Sequence, residues 1–433
     1  MVMSPPGPTP RLYFDNLIRY SRNPLGFLEE MVRQYGDTVF VEMPGYSFYI
    51  INDRKSVEEV LRNKDGLFIK DKASHMVSRV VGNGLIISEG DFWKGQRKAA
   101  QPAFHPGCIA GWAGHFTEYC RERMGTWHDG QVIVIQDEMM KTTLRIIAKI
   151  IFNVDVTKQS AEVGEAMVDV TDYFSSILNF IFPEWLPTPA NIKLKRSVRE
   201  LNRLIVEFGK GDASAGEAAP TMQDMLRSAG LGGDQLRDEL VTFLLAGHET
   251  TALALSFSIY LLSKHPEALE KLRAEIKQVA GGRPIAVEDY KQLAFTKRVF
   301  QEALRLYPPA WSLGREALQD CELSGFSIPA HAQLAITSWL LHRDERYFKD
   351  PLVFKPERWE SIAEHDLSFA YIPFGAGPRA CIGREFAMME GVLILGTLFQ
   401  TWNFELVSNT PLEFQPSITL RPKKPLEARV KKF

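Results

Sequence analysis

The sequence predicts a mainly α-helical fold with a small β-rich portion, from three features. Apolar residues recur at helical spacing through most of 106–208. A long apolar helical stretch runs from about Asp234 to Ser263, and another follows Gly383, where Ala387, Met388, Gly391, Val392, Leu395, Leu398 and Phe399 mark one face. Strand-like pieces are short and lie towards the two ends of the chain. With 45% apolar residues in 433, the chain can bury an extensive core, and residues 1–433 are expected to form one domain. The net charge of −2, without a basic block, argues against nucleic acid as a partner. Cys108, Cys120, Cys321 and Cys381 form no C-x-x-C pair and have no histidine tract beside them, so zinc is not expected and a reducing cytoplasm is. No apolar run approaches the ~20 residues of a spanning helix, and the N-terminus lacks the pattern of a signal peptide.

In chain order, residues 1–12 are Pro-rich and extended. Pro24 suits the start of a helix from about Leu25 to Tyr35. Thr38 to Met43 and Tyr46 to Ile51, around Pro44-Gly45, read as a β-hairpin. Ser56-Val57-Glu58-Glu59 reads as a capping box opening a short helix. Residues 71–90 read as a loop rich in apolar side chains, broken at Gly82-Asn83-Gly84; such a loop covers a core or forms the mouth of an apolar pocket. Tyr173 to Phe182 is densely apolar, residues 209–220 form a flexible surface loop, Ser324-Gly325 marks a hairpin, and Pro416 to Leu420 reads as a strand.

Four short patterns carry chemistry. Trp93 and Arg97, four apart, share a helix face; an indole N–H and a guanidinium there clamp a carboxylate, although alone the pair reads as a surface aromatic–cation contact. In Ala246-Gly247-His248-Glu249-Thr250-Thr251, Ala246 and Gly247 leave room for a flat ligand, and Thr250 can bond back to the Ala246 carbonyl and bend the helix. Glu302 and Arg305 stand at i,i+3, which by itself means an ordinary ion pair; Pro356-Glu357-Arg358-Trp359 follows downstream. The strongest signal is Phe374-Gly375-Ala376-Gly377-Pro378-Arg379-Ala380-Cys381-Ile382-Gly383. It sets Cys381 on a Gly-rich loop before a helix N-terminus, where a thiolate is favoured and can ligate a metal.

F-x-x-G-x-R-x-C-x-G resembles the haem-binding signature of the cytochrome P-450 family of haem-thiolate monooxygenases, and the other three motifs occur in that family's order over nearly the whole chain. The resemblance implies the cytochrome P-450 fold and haem b as cofactor, with Cys381 as the iron ligand. It assigns Trp93, Arg97, Arg315 and Arg379 to the haem propionates, and Phe374, Gly375, Ala246 and Gly247 to contacts with the haem. It gives Thr250 a hydrogen bond to bound dioxygen and makes Glu249 a proton-relay acid. Glu302, Arg305 and Arg358 become a structural charge cluster, the Tyr173–Phe182 stretch falls near the helix that roofs the substrate pocket, and Pro416–Leu420 dips a turn into that pocket. One departure is Pro329-Ala330-His331-Ala332, where many relatives carry a glycine after the alanine. Arg379, Trp93 and A-G-H-E-T-T look more like the soluble bacterial branch similar to fatty-acid and microsomal enzymes than the camphor-hydroxylase branch.

The expected reaction is hydroxylation or epoxidation of a lipophilic molecule such as a fatty acid, terpenoid or steroid. The pocket is expected to be lined by Met76, Val80, Leu85, Ile86, Phe174, Leu244, Ala246, Trp311 and Ile418, with Arg79 a solvated loop residue. Electrons are expected from a separate ferredoxin or flavodoxin with its reductase, docking near Lys94, Lys98 and Arg384. A soluble, cytoplasmic, monomeric enzyme is the expectation. The rival classes are a peroxide-driven peroxygenase, a haem-based sensor or carrier, and a haem-free helical scaffold; the intact Glu249-Thr250 pair argues against the first.

Overall fold

The computed structural model describes residues 3–10, 12–157, 159–175, 179, 185–209 and 220–433. The predicted elements near the N-terminus form as their end signals dictate. Pro24 opens helix Pro24–Tyr35, and the Asn23 side chain accepts the Gly26 amide. Strands β1 (Thr38–Val41) and β2 (Phe48–Ile51) pair antiparallel around Pro44-Gly45. The next helix, Arg54–Arg62, corrects the capping-box reading. Its cap is Asp53, which accepts the Ser56 amide, while Ser56 Oγ lies 2.7 Å from Ser324 Oγ. A carboxylate three residues upstream outcompetes the serine for the cap.

The stretch read as a loop at 71–90 contains two single-turn helices, Lys72–His75 and Ser78–Val81, after β3 (Phe68–Ile69). Helix α1 (Gly90–Ala100) carries Trp93 and Arg97. The helical region beyond it is interrupted by β4 (Val132–Val134) and contains α2 (Ile135–Phe152), α3 (Ser160–Ser175) and α4 (Pro189–Phe208). Most of the 209–220 loop, and the end of the Tyr173–Phe182 stretch, lie outside the described residues.

Helix α5 (Gly233–Lys264) is the axis of the molecule. It is long and apolar enough to cross a membrane by composition, but 78% of its most apolar window is buried against the rest of the chain. Its hydroxyls are satisfied locally: Ser256 and Ser258 donate to the carbonyls four residues back at 2.7 and 2.8 Å. Helix α6 (Ala294–Leu306) ends at Tyr307-Pro308-Pro309, and α7 (Arg384–Thr401) follows the cysteine loop. An apolar cluster including Ile147, Leu244, Leu255, Phe300 and Leu395 joins α2, α5, α6 and α7.

The strands β5 (Ser312–Ala317), β6 (Cys321–Leu323), β7 (Phe326–Ile328) and β8 (Gln333–Thr337) follow α6. The main sheet has the order β1-β2-β8-β5-β3, with β8 parallel to β2. The C-terminal strands do not join it. β9 (Trp402–Leu406) and β12 (Glu427–Lys432) form a three-stranded sheet with β4, and β10 (Phe414–Pro416) pairs with β11 (Leu420–Pro422). β6 and β7 pair with each other, so the β portion expected to be built from both ends of the chain is, among the described residues, four separate sheets. In Pro416–Leu420 the strand reading is corrected and the turn that the resemblance implies is present: Ser417 to Thr419 is the turn between β10 and β11, closed by Ser417 N–H to the Thr419 carbonyl at 3.0 Å. His331, at the departure from the family pattern, adopts φ +63°, the left-handed backbone that glycine takes without strain.

Candidate active site

The cysteine loop is held by backbone and by small residues. Cys381 N–H donates to the Phe374 carbonyl at 2.8 Å. Gly375 and Gly377 have φ +68° and +70°, and a methyl on Gly377 would lie 2.1 Å from the Leu61 carbonyl oxygen. Burial pushes the Cys381 thiol up, and the Gly383 N–H and the Arg97 guanidinium offset this only in part. The residue is crowded by protein on most sides yet keeps accessible surface, as a thiol facing a ligand space does.

Around the loop lies a concentration of cations. Arg97 Nη1 donates to the Ala380 carbonyl at 2.8 Å. Arg379 stacks over the Trp93 ring at 4.0 Å, donates to the Ser88 carbonyl at 2.6 Å and pairs with Glu89. Arg315 is 5% exposed, and its one hydrogen bond among the described residues is to the Gly314 carbonyl at 2.7 Å. Lys70, which sequence reasoning missed, joins them: burial and the neighbouring Arg315 and Arg379 push its ammonium down to about 7. Ser88 Oγ and both side-chain polar atoms of the buried Gln96 have no partner among the described residues. Under-satisfied guanidinium and ammonium groups in a half-buried cradle call for anions.

On α5, the helix interior opens at one turn. Ala246 is exposed and Leu245, Gly247 and Thr250 are half-buried, in a helix whose neighbouring residues are buried. Thr250 Oγ1 donates to the Ala246 carbonyl at 2.6 Å, as expected. Glu249 points elsewhere. It accepts Arg421 Nε at 2.6 Å and the Thr419 hydroxyl; burial pushes its carboxyl up, but Arg421 more than offsets this and holds it below the ordinary range. Arg421 also donates to Thr171 Oγ1 of α3 at 2.7 Å.

The residues expected to line the pocket are partly brought together. Trp311 Nε1 donates to the Ser417 carbonyl at 2.9 Å, and Ser417 Oγ to the Thr171 carbonyl at 2.9 Å, so Trp311, the Ile418 turn and α3 meet. The Leu85 amide donates to Glu239 of α5 at 3.1 Å, and Arg79 reaches Tyr173 of α3 instead of standing free. Val80, Leu85, Phe174, Leu244 and Trp311 are buried and Met76 is half-buried, whereas Ile86 and Ile418 are 43% and 41% exposed.

Behind the loop, Glu302 is fully buried and accepts Arg305 Nε and Nη2 at 2.9 and 2.8 Å, Arg358 Nε at 2.9 Å, Trp359 Nε1 at 3.1 Å and the Lys355 amide at 3.0 Å. His342 connects this cluster to the cysteine segment. Its Nδ1 donates to the Arg305 carbonyl at 3.1 Å and its Nε2 accepts the Ile372 amide at 2.9 Å, so the ring is neutral. Burial, reinforced by the Arg305 charge, keeps its pKa well below the usual value.

A thiol on a turn before a helix, a cradle of cations beside it and a helix face of small residues fit an iron porphyrin with two carboxylates. The model of the family described as "Cytochrome P450" matches residues 5–429. The chain belongs to the cytochrome P450 family. P450 proteins bind haem b, and this one is a P450 monooxygenase by its relatives as well. It is 32% identical to cyclooctat-9-en-7-ol 5-monooxygenase of Streptomyces melanosporofaciens, over 90% of this chain and 87% of that protein. Cyclooctatin synthase of the same organism is 32% identical over 92% and 90%, and pentalenene oxygenase of Streptomyces avermitilis 29% over 88% and 87%. The mainly helical P450 fold predicted from the motifs is the one observed.

Proposed function

We propose that this P450 inserts one oxygen atom of O2 into a lipophilic, terpenoid-like hydrocarbon, with Cys381 as the thiolate ligand of haem iron. The observation that carries the reading is the partly accessible Cys381 thiol beside the cradle of Lys70, Arg97, Arg315 and Arg379. When bound, a thiolate-ligated haem supplies O2 activation; one oxygen enters the substrate and the other leaves as water, consuming two electrons and two protons. The protein's part is positional. The Gly383 N–H and Arg97 would temper the thiolate charge, the cationic cradle would hold the propionates, and Thr250 Oγ1 would offer a proton from the open side of α5. The apolar residues Val80, Leu85, Phe174, Leu244 and Trp311 exclude water and select a hydrocarbon skeleton. The terpenoid-like choice rests on the names of the bacterial relatives.

Electrons come from a separate carrier. A cleft of about 970 Å³ opens against the cysteine loop; its lining includes Lys291, Lys297, Arg298 (paired with Glu360), Glu364 and Arg384. Its two lysines, which have no ion pair among the described residues, would face an acidic ferredoxin or flavodoxin. Of the cations expected to steer it, Arg384 is paired with Glu364 and Lys94 with Asp91, while Lys98 is exposed with no ion pair among the described residues. A monomer in the cytoplasm accords with this scheme. The test is the spectrum of the reduced protein with carbon monoxide. A strongly red-shifted Soret band is expected, abolished by Cys381→His; a band typical of histidine-ligated haem in the unaltered protein overturns the reading.

A further inference from the structure

The turn of α5 that bears Ala246, Gly247 and Thr250 combines a glycine, a back-bonded threonine and an open face. Thr250 bonds back to the Ala246 carbonyl, an arrangement that loosens a helix, and Gly247 contributes no side-chain packing. Something must hold this turn at fixed depth, and α2 is placed to do so. At 100° per residue, Ala246 and Thr250 lie about 40° apart, and His248 lies on the opposite side of the helix. There the structure shows a clip. Thr143 Oγ1 lies 2.9 Å from the His248 carbonyl, and His248 Nε2 lies 3.0 Å from the Met140 carbonyl. A methyl placed on Gly247 would lie 3.0 Å from Ile147 Cδ1, so the two helices touch beside the clip. Met140, Thr143 and Ile147 stand at three- and four-residue spacing, one stripe of α2.

The clip's hydrogen bonds have defined directions. A carbonyl only accepts, so His248 carries its proton on Nε2; the bare Nδ1 is buried without a partner among the described residues. Thr143 has one proton and three carbonyls within reach, those of Met139 at 3.0 Å, Met140 at 3.3 Å and His248 at 2.9 Å. The first two belong to its own helix; only the third ties α2 to α5.

We infer that Thr143 and His248 are positioning residues: they grip the back of α5 so that Ala246 and Thr250 keep a fixed place on its open side. This rests on the monooxygenase reading for its catalytic consequence, but not for its structural one. Thr143→Val keeps the shape and removes the hydroxyl; Thr143→Ser restores the hydroxyl. Two quantities are read on the holoprotein: amide hydrogen exchange of a peptide spanning 246–252, and hydrogen peroxide released per product formed. Thr143→Val is expected to raise both by about 2- to 10-fold, the equivalent of one hydrogen bond, with the carbon monoxide band unmoved and Thr143→Ser close to the unaltered protein. Unchanged exchange in Thr143→Val, or a serine variant as impaired as the valine one, overturns the inference. If the valine variant fails to fold, Thr143→Ala is read by the same two measures and the same criteria. Absence of the red-shifted band in the unaltered protein sinks the thiolate–haem reading instead, and the exchange measurement still decides the clip.

Discussion

Thr250 and Glu249 are neighbours in sequence with different surroundings. Thr250 faces the open side of α5, whereas Glu249 is buried in an ion pair with Arg421. Thr250→Ala is therefore expected to divert electrons into peroxide, cutting product per electron by about 10-fold or more, while the carbon monoxide spectrum stays unchanged. Equal coupling in the variant would favour peroxide as the natural oxidant. Arg421→Leu strands a buried carboxylate and is expected to destabilise the fold by ~3 kcal/mol, read by chemical denaturation, with Arg421→Leu/Glu249→Gln recovering much of the loss. The motif residues were legible because fixed spacing within one segment places them. Lys70, Arg421 and His342 were not, because each meets the site only through tertiary contact: Lys70 from the end of β3, Arg421 from β11, His342 from the turn after β8.

Among the elements, the helices with long apolar periods and the hairpins at Pro44-Gly45 and Ser324-Gly325 were legible in the chain; what failed were two segments whose partners lie outside them. Ser56 to Glu59 satisfies the capping pattern, but Asp53 takes the cap. Residues 416–420 have strand-like composition, yet the Leu420 amide goes to the Pro309 carbonyl and the segment turns. The cluster between α6 and the cysteine segment makes a sharper prediction. Removing Glu302 leaves Arg305 and Arg358 without their carboxylate in a dry interior, where such losses amount to about 3–5 kcal/mol. Glu302→Ala is expected to yield little folded haemoprotein. Glu302→Gln, which keeps the shape and loses the charge, should fold better yet lose haem on mild heating; a Tm and haem content equal to the unaltered protein would refute this role.

Across the molecule, stability is coupled to pH through carboxyls that no cation neutralises. Glu390 on α7 is fully buried and has no cation beside it among the described residues, and burial, opposed only by the Thr251 hydroxyl, pushes it up to about 8. The folded state thus holds a proton that the unfolded chain releases above its ordinary value near 4.5. Stability from this group falls as pH rises between those values, by up to ~1.4 kcal/mol per pH unit, and levels off above about 8. Glu390→Gln is expected to be more stable than the unaltered protein at pH 8, with the gap closing towards pH 5; a gap independent of pH would show that the carboxyl is already charged. The same molecule separates what must stay from what can change. Glu302 gathers donors from residues 305, 355, 358 and 359, so no one-step replacement there leaves a tolerable intermediate. The 71–90 segment shares none of the described hydrogen bonds of that cluster. Mutational drift can therefore rework the mouth of the pocket step by step while the support of the cysteine loop stands still, and new substrates become reachable without passing through unfolded ancestors.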